Sequence, residues 1–136
     1  MLAAFPLNPI LPAKDGARAE AFYRDVLGLD QLSPPGMDPM AFGAGNGSMI
    51  VLSELPDRVP PPYPVVAFLV EGIEDLVAGL AERGVELVDP QPASFQGTEG
   101  VIDGAIIDFG PVKSTWLRDS EDNILALNEL ATTSAS

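Results

Sequence analysis

The 136-residue chain contains no cysteine and no histidine. Without cysteine there can be no disulfide, thiolate metal site or thiol nucleophile. Without histidine the chain also lacks the commonest metal ligand and the usual general base near neutral pH. A Ser-His-Asp triad, a histidine zinc site and a two-histidine iron site are excluded. Any chemistry falls to carboxylates, Lys, Arg, Tyr or backbone groups. Basic residues are scarce: seven Lys and Arg stand against twenty Asp and Glu, a formal net charge of −13. Nucleic-acid binding depends on cations that neutralise phosphates, and anionic membrane surfaces attract the same residues, so neither partner is expected. The negative charge reads either as a device for solubility or as a field that favours a cationic ligand. No apolar run approaches the roughly 20 residues of a membrane span. No basic patch followed by an apolar stretch marks a signal peptide, so a cytoplasmic location is expected.

What is present is a repeated order of elements. Leu7 to Ala13, interrupted by Pro9 and Pro12, reads as an edge strand. Asp15 stands where a helix N-cap belongs, and Ala19, Phe22, Tyr23 and Val26 follow at the spacing of one buried helical face. Gly28 closes that helix. Met40 to Phe42 and Ser48 to Leu52 read as strands joined at Asn46-Gly47, a hairpin signal. The GAGNG stretch at 43–47 is a turn by this context, because a phosphate loop must open a helix. A stiff, proline-rich connector covers 56–64. The order then begins again. Val65 to Val70 is a strand; Ile73, Leu76, Val77 and Leu80 mark a helix face; Gly84 ends it; and Val85 to Val88 resumes a strand. Residues 93–110 read as a long loop with one short strand at Ala105 to Phe109. Lys113 to Arg118 and Ile124 to Leu130 form a hairpin around Asp119 to Asn123, and 132–136 read as a frayed tail.

Two strand-helix-strand-hairpin units indicate an internal duplication. The fold class is α+β, with two repeated modules. They make a single domain over 1–136, with module one at 5–55 and module two at 65–131. The acidic clusters Glu71, Glu74, Asp75 and Asp119, Glu121, Asp122 read as solvated structural groups, the first at a helix N-terminus and the second in a turn without the ligand spacing of a calcium loop. Trp116, the only tryptophan, should pair across the last hairpin with Ala126, where its ring either stacks on a planar or cationic ligand or simply fills space. Strand parity adds Asn8, Met49, Ser53, Ala67 and Asn128 as lining candidates. Glu54 and Arg118 lie near strand ends, close to the expected mouth.

Three segments carry a resemblance that spans nearly the whole chain: LPAKDGARAEAFYRDVLGL at 11–29, VVAFLVEGIEDLVAGLAERGVEL at 65–87 and WLRDSEDNILAL at 116–127. In these the chain resembles the vicinal oxygen chelate superfamily, which includes glyoxalase I, extradiol dioxygenases and bleomycin-resistance proteins; the resemblance implies two βαβββ modules forming a curved, mostly antiparallel sheet around one cavity. In metal-dependent members the resemblance implies four ligands, and they fall here on Asn8, Val51, Val65 and Ala126. Three of these are aliphatic, so no metal and no other cofactor is expected. The bleomycin-resistance branch implies a homodimer that sequesters a small organic molecule, cationic or aromatic, at Asn8, Met49, Val51, Ser53, Val65, Ala67, Trp116, Ala126 and Asn128. A glyoxalase-like lyase, isomerase or hydrolase using Tyr23, Glu54 or Asp108 is the alternative. A structural dimer with a vestigial cavity is the third reading.

Overall fold

Alternating apolar residues and well-placed caps build this chain as the sequence predicts for most of its length. The computed structural model describes residues 1–131; the expected frayed tail lies outside the described residues. Two compact units divide at Pro60/Pro61, inside the proline-rich connector. The first comprises Met1–Pro60 with Ser120–Asn123, and the second comprises Pro61–Asp119 with Ile124 onward. No helix among the described residues is long and apolar enough to cross a membrane.

The first unit runs β1 (Ile10–Ala13), α1 (Gly16–Ala21), β2 (Asp30–Gln31), β3 (Met40–Gly43) and β4 (Met49–Glu54). Its sheet has the order β1-β4-β3-β2, with β1 parallel to β4 and the other neighbours antiparallel. β1 is an edge strand, as its prolines require, but it starts at Ile10 rather than Leu7. The Asp15 side chain accepts the Arg18 N–H at 3.1 Å and caps α1. From Phe22 to Val26 the helix widens to i→i+5 bonding, with the Leu27 N–H on the Phe22 carbonyl at 3.0 Å. Ala19 and Tyr23 are fully buried, with Phe22 and Val26 half-buried beside them. Met40, Phe42, Ile50 and Leu52 alternate inward on one face of β3 and β4, and the Tyr23 and Phe42 rings lie 5.7 Å apart. The β3–β4 hairpin turns at Asn46 and Gly47, both at positive φ, the backbone that the Asn-Gly signal predicts.

The second unit repeats the order and elaborates it: β5 (Pro64–Leu69), α2 (Ile73–Glu82), β6 (Glu86–Val88), β7 (Ser94–Phe95), β8 (Thr98–Glu99), β9 (Val101–Asp103), β10 (Ile106–Asp108), β11 (Val112–Arg118) and β12 (Ile124–Leu130). β5 lies parallel to β12 as β1 does to β4; β12, β11, β10 and β9 follow antiparallel, and β6 also pairs with β11. Thr115, Leu117, Leu125 and Leu127 are buried on both central strands. Leu76, expected on the buried helix face, is 40% exposed, whereas Ile73 is fully buried.

Two expectations are corrected. Residues 93–110 are not a loop with one strand but two short hairpins, β7–β8 turning at Gln96-Gly97 and β9–β10 turning at Gly104. The second acidic cluster is not solvated: Asp119 and Glu121 are buried, and only Asp122 is exposed. Within the first unit, Glu121 Oε1 accepts the backbone N–H groups of Lys14 and Asp15, each at 2.8 Å. The Arg18 guanidinium donates to both carboxylate oxygens at 2.8 and 3.0 Å, and the Ser120 hydroxyl donates at 2.7 Å. The Asn123 amide donates to the Pro12 carbonyl at 2.9 Å. The first cluster is exposed as expected, with Glu74 2.7 Å from Lys113.

Candidate functional site

In the second unit, β11 sets Ser114, Trp116 and Arg118 on one face and Thr115 and Leu117 on the other, the two-residue period of a strand. The ladder fixes their neighbours: Ser114 lies opposite Asn128, Trp116 opposite Ala126 and Arg118 opposite Ile124 on β12. On the other side of β11, Val88 and Glu86 of β6 stand beside Trp116 and Arg118, and Ile107 of β10 beside Ser114. One row of side chains thus runs Ala67, Ala126, Trp116, Val88 across four strands.

This face floors a cleft of about 460 Å³ with Trp116, Ile107 and Phe109 among its apolar lining. A side wall comes from Asp89 to Ala93, where Pro90 and Pro92 hold the chain extended. Polar groups are few. The Ser114 hydroxyl donates to Asn128 Oδ1 at 2.8 Å, and the Arg118 guanidinium lies 2.8 Å from Glu86. Asp89 carries the other charge of the lining, and no ion pair engages it among the described residues. The cleft's cation is therefore compensated and its anion is not. Volume, apolar floor and a small number of polar groups are those of a small-molecule site.

Of the nine residues singled out in the sequence, Trp116 alone lines this cleft. Ala126 and Ala67 continue its row, Ala126 buried and Ala67 exposed, and Asn128 holds Ser114. Val65 falls at the register break between the Pro64 and Val66 pairings. Met49, Val51 and Ser53 belong to the first unit, half-buried on the face of β4 opposite Ile50 and Leu52. Asn8 precedes β1 and is exposed. Ile107 and Phe109 belong to the short strand expected at Ala105 to Phe109 but not to the expected lining, although VIDGAII at 101–107 sets an Asp-Gly hairpin signal among apolar residues.

The positions that a family metal would use carry one neutral amide and three aliphatic side chains: Asn8, Val51, Val65 and Ala126. Among the described residues no three of His, Cys, Asp and Glu come together to hold an ion. A divalent transition metal needs imidazole, thiolate or carboxylate donors, and these residues do not fit one. Only a species bound to the folded state raises stability by mass action. Adding zinc, nickel or manganese, or chelating metal with EDTA, will therefore leave the melting temperature unchanged to within about 1 °C. A metal-dependent rise of several degrees would contradict this donor argument.

Residues 7–42 match the family model described as bleomycin resistance protein-like N-terminal. Among proteins with curated descriptions none matches the sequence. The fold aligns with a Bacillus anthracis protein assigned to the glyoxalase family at TM-score 0.68 and 19% identity, covering 93% of this chain and 96% of that one. A glyoxalase/bleomycin resistance protein/dioxygenase from Alicyclobacillus acidocaldarius aligns at 0.67 and 18%, covering 94% and 92%. A lactoylglutathione lyase from Agrobacterium tumefaciens aligns at 0.63 and 18%, covering 93% of each. The resemblance in the sequence is thus matched in the structure: this chain has the α+β fold of the vicinal oxygen chelate superfamily, the fold of the glyoxalase, bleomycin-resistance and dioxygenase proteins.

Proposed function

We propose that this chain binds a small planar organic molecule, preferentially a cationic one, in the second-unit cleft and without a metal. The observation that carries this reading is Trp116, which keeps 37% of its surface exposed in the floor of an apolar cleft. An indole face so placed gains about 0.5–2 kcal/mol from stacking and cation–π contact beyond the area it buries. Asp89 and the net charge of −13 favour a cation over a neutral or anionic analogue.

A catalytic reading has less support. Tyr23 is fully buried in ring packing with Phe22 and Phe42. Glu54 accepts the Gly16 N–H at 3.0 Å, and Asp108 accepts the Gly110 N–H at 2.8 Å. Neither carboxylate is among the residues that line the cleft, and each accepts a backbone N–H.

Calorimetric titration with 1-naphthylmethylammonium, 1-naphthalenemethanol and 1-naphthoate tests the proposal. Affinity should fall in that order, and Trp116→Ala should weaken the cation about 10-fold. Asp89→Asn should narrow the gap between the cation and the alcohol. Binding that ignores Trp116, or no binding by any of the three, would overturn the reading.

A further inference from the structure

The side wall of the cleft has open space on both of its faces. Pro92 and Ala93 border the cleft above Trp116 and also a second cleft of about 440 Å³, which Ser94, Glu99, Gly100 and Ile102 complete. A wall packed on neither side is held by its ends and by whatever points it touches. Its ends are fixed by ladders: Val88 pairs with Trp116, and Val101 pairs with Asp108. Between them every residue from Gln91 to Glu99 is exposed. The Gly100 N–H closes this segment on itself through the Ala93 carbonyl at 2.9 Å. Pro90 and Pro92 stiffen its first half.

Two contacts seat it on the sheet. Phe95 lies against Phe109 with ring centroids 5.9 Å apart. Gly100 lies so close to β10 that a Cβ there would stand 2.6 Å from Ile107 Cδ1 and 2.8 Å from Phe109 Cε1, and closer still to Ile107 Cγ1. Glycine at 100 is needed for this approach rather than for a left-handed backbone. Ile107 is β-branched, and its χ1 yields little. Both residues beneath the seat, Ile107 and Phe109, also line the Trp116 cleft, so the seat and the ligand floor share side chains.

We propose that residues 89–100 form a hinged strap that opens and closes the Trp116 cleft, pivoting where it joins the paired residues Val88 and Val101 and seated through Gly100 and Phe95. This rests on the binding function proposed above, because a strap has purpose only over an occupied cleft. Lifting the strap admits the ligand; reseating it restores the Pro92–Ala93 wall and slows escape.

Hydrogen exchange read by mass spectrometry, with and without 1-naphthylmethylammonium, tests the strap, and stopped-flow fluorescence gives the rates. The bound cation should slow exchange across 91–100, the Gly100 amide above all. Phe95→Ala, a change at a partly exposed ring, and Gly100→Ala should each speed strap exchange and raise the dissociation rate about 10-fold, with less effect on association. Phe95→Ala keeps the test open if Gly100→Ala folds poorly. A cation that binds without slowing the strap overturns the strap and leaves the binder standing. If none of the naphthalenes binds, the binder falls, and ligand-free exchange decides the strap. A Gly100 amide that opens ahead of β9 and β10, and faster in Phe95→Ala, sustains it; one that opens only with the sheet overturns it.

Discussion

Glu121→Gln will lower the stability of the folded chain by about 3 kcal/mol near neutral pH and remove a component of its acid denaturation. The Glu121 side chain has no exposed surface. Burial alone pushes its carboxyl up, but the Arg18 guanidinium, the Asp15 N–H and the Ser120 hydroxyl outweigh burial and hold it at about 2. An unfolded chain would titrate the same group near its ordinary 4.5. The folded state therefore binds this proton less readily than the unfolded one. Its stabilising contribution is complete above the ordinary value and drains away as pH falls from about 5 towards 2. A glutamine keeps one acceptor oxygen for the Lys14 and Asp15 amides but turns an NH2 group towards donors. Urea unfolding followed by circular dichroism at pH 7, 4 and 2.5 reads the result. The wild-type advantage should be widest at pH 7 and reduced to about a quarter of that at pH 2.5. Equal stability of the two proteins at pH 7 would contradict the described hydrogen bonds.

That residue also marks where the sequence stops being legible. The Asp15 cap, the Ala19–Tyr23 face and the Asn46-Gly47 turn each depend on residues within one or two helical turns, so their signals survive in a single sequence. The pairing of Trp116 with Ala126 was equally readable, since the turn between them fixes the register. Glu121 is different. Apart from the adjacent Ser120 hydroxyl, its partners lie more than 100 positions away along the chain, and an acidic turn residue without a local cation reads as solvated. The cleft was only partly legible for a related reason. Trp116 announced itself by type and parity, but its side wall comes from 89–93, where exposed residues carry no period. The β7–β8 turn uses Gln96 at φ 51° before Gly97, a conformation that glutamine seldom marks. The lining expected from the first unit rested on strand parity, which assigns Met49, Val51 and Ser53 to one face of β4.

Phe42→Ala will cost about 3–5 kcal/mol of stability, the largest single effect expected here. Phe42 is fully buried on β3, between Met40 and the turn, and its ring meets Tyr23 at 5.7 Å. Truncation removes both the transfer free energy of a phenyl ring and an aromatic pair, and it leaves a void that Leu52, Ile50 and Tyr23 cannot all move to fill. Fixed neighbours limit that collapse: β3 is held on one side by β4 and on the other by β2, and Tyr23 sits in the widened end of the helix. Phe42→Leu keeps most of the volume and should cost about 1–2 kcal/mol. Urea midpoints separate the two variants, and an unchanged m value would show that the loss lies in the folded state. The outward face of β3 carries Ala41, opposite Val51. Ala41→Gly removes one methyl from a half-buried site and should cost about 1 kcal/mol, mostly through backbone freedom. A Phe42→Ala protein no less stable than Ala41→Gly would mean that the inward face of β3 is not the core of the first unit.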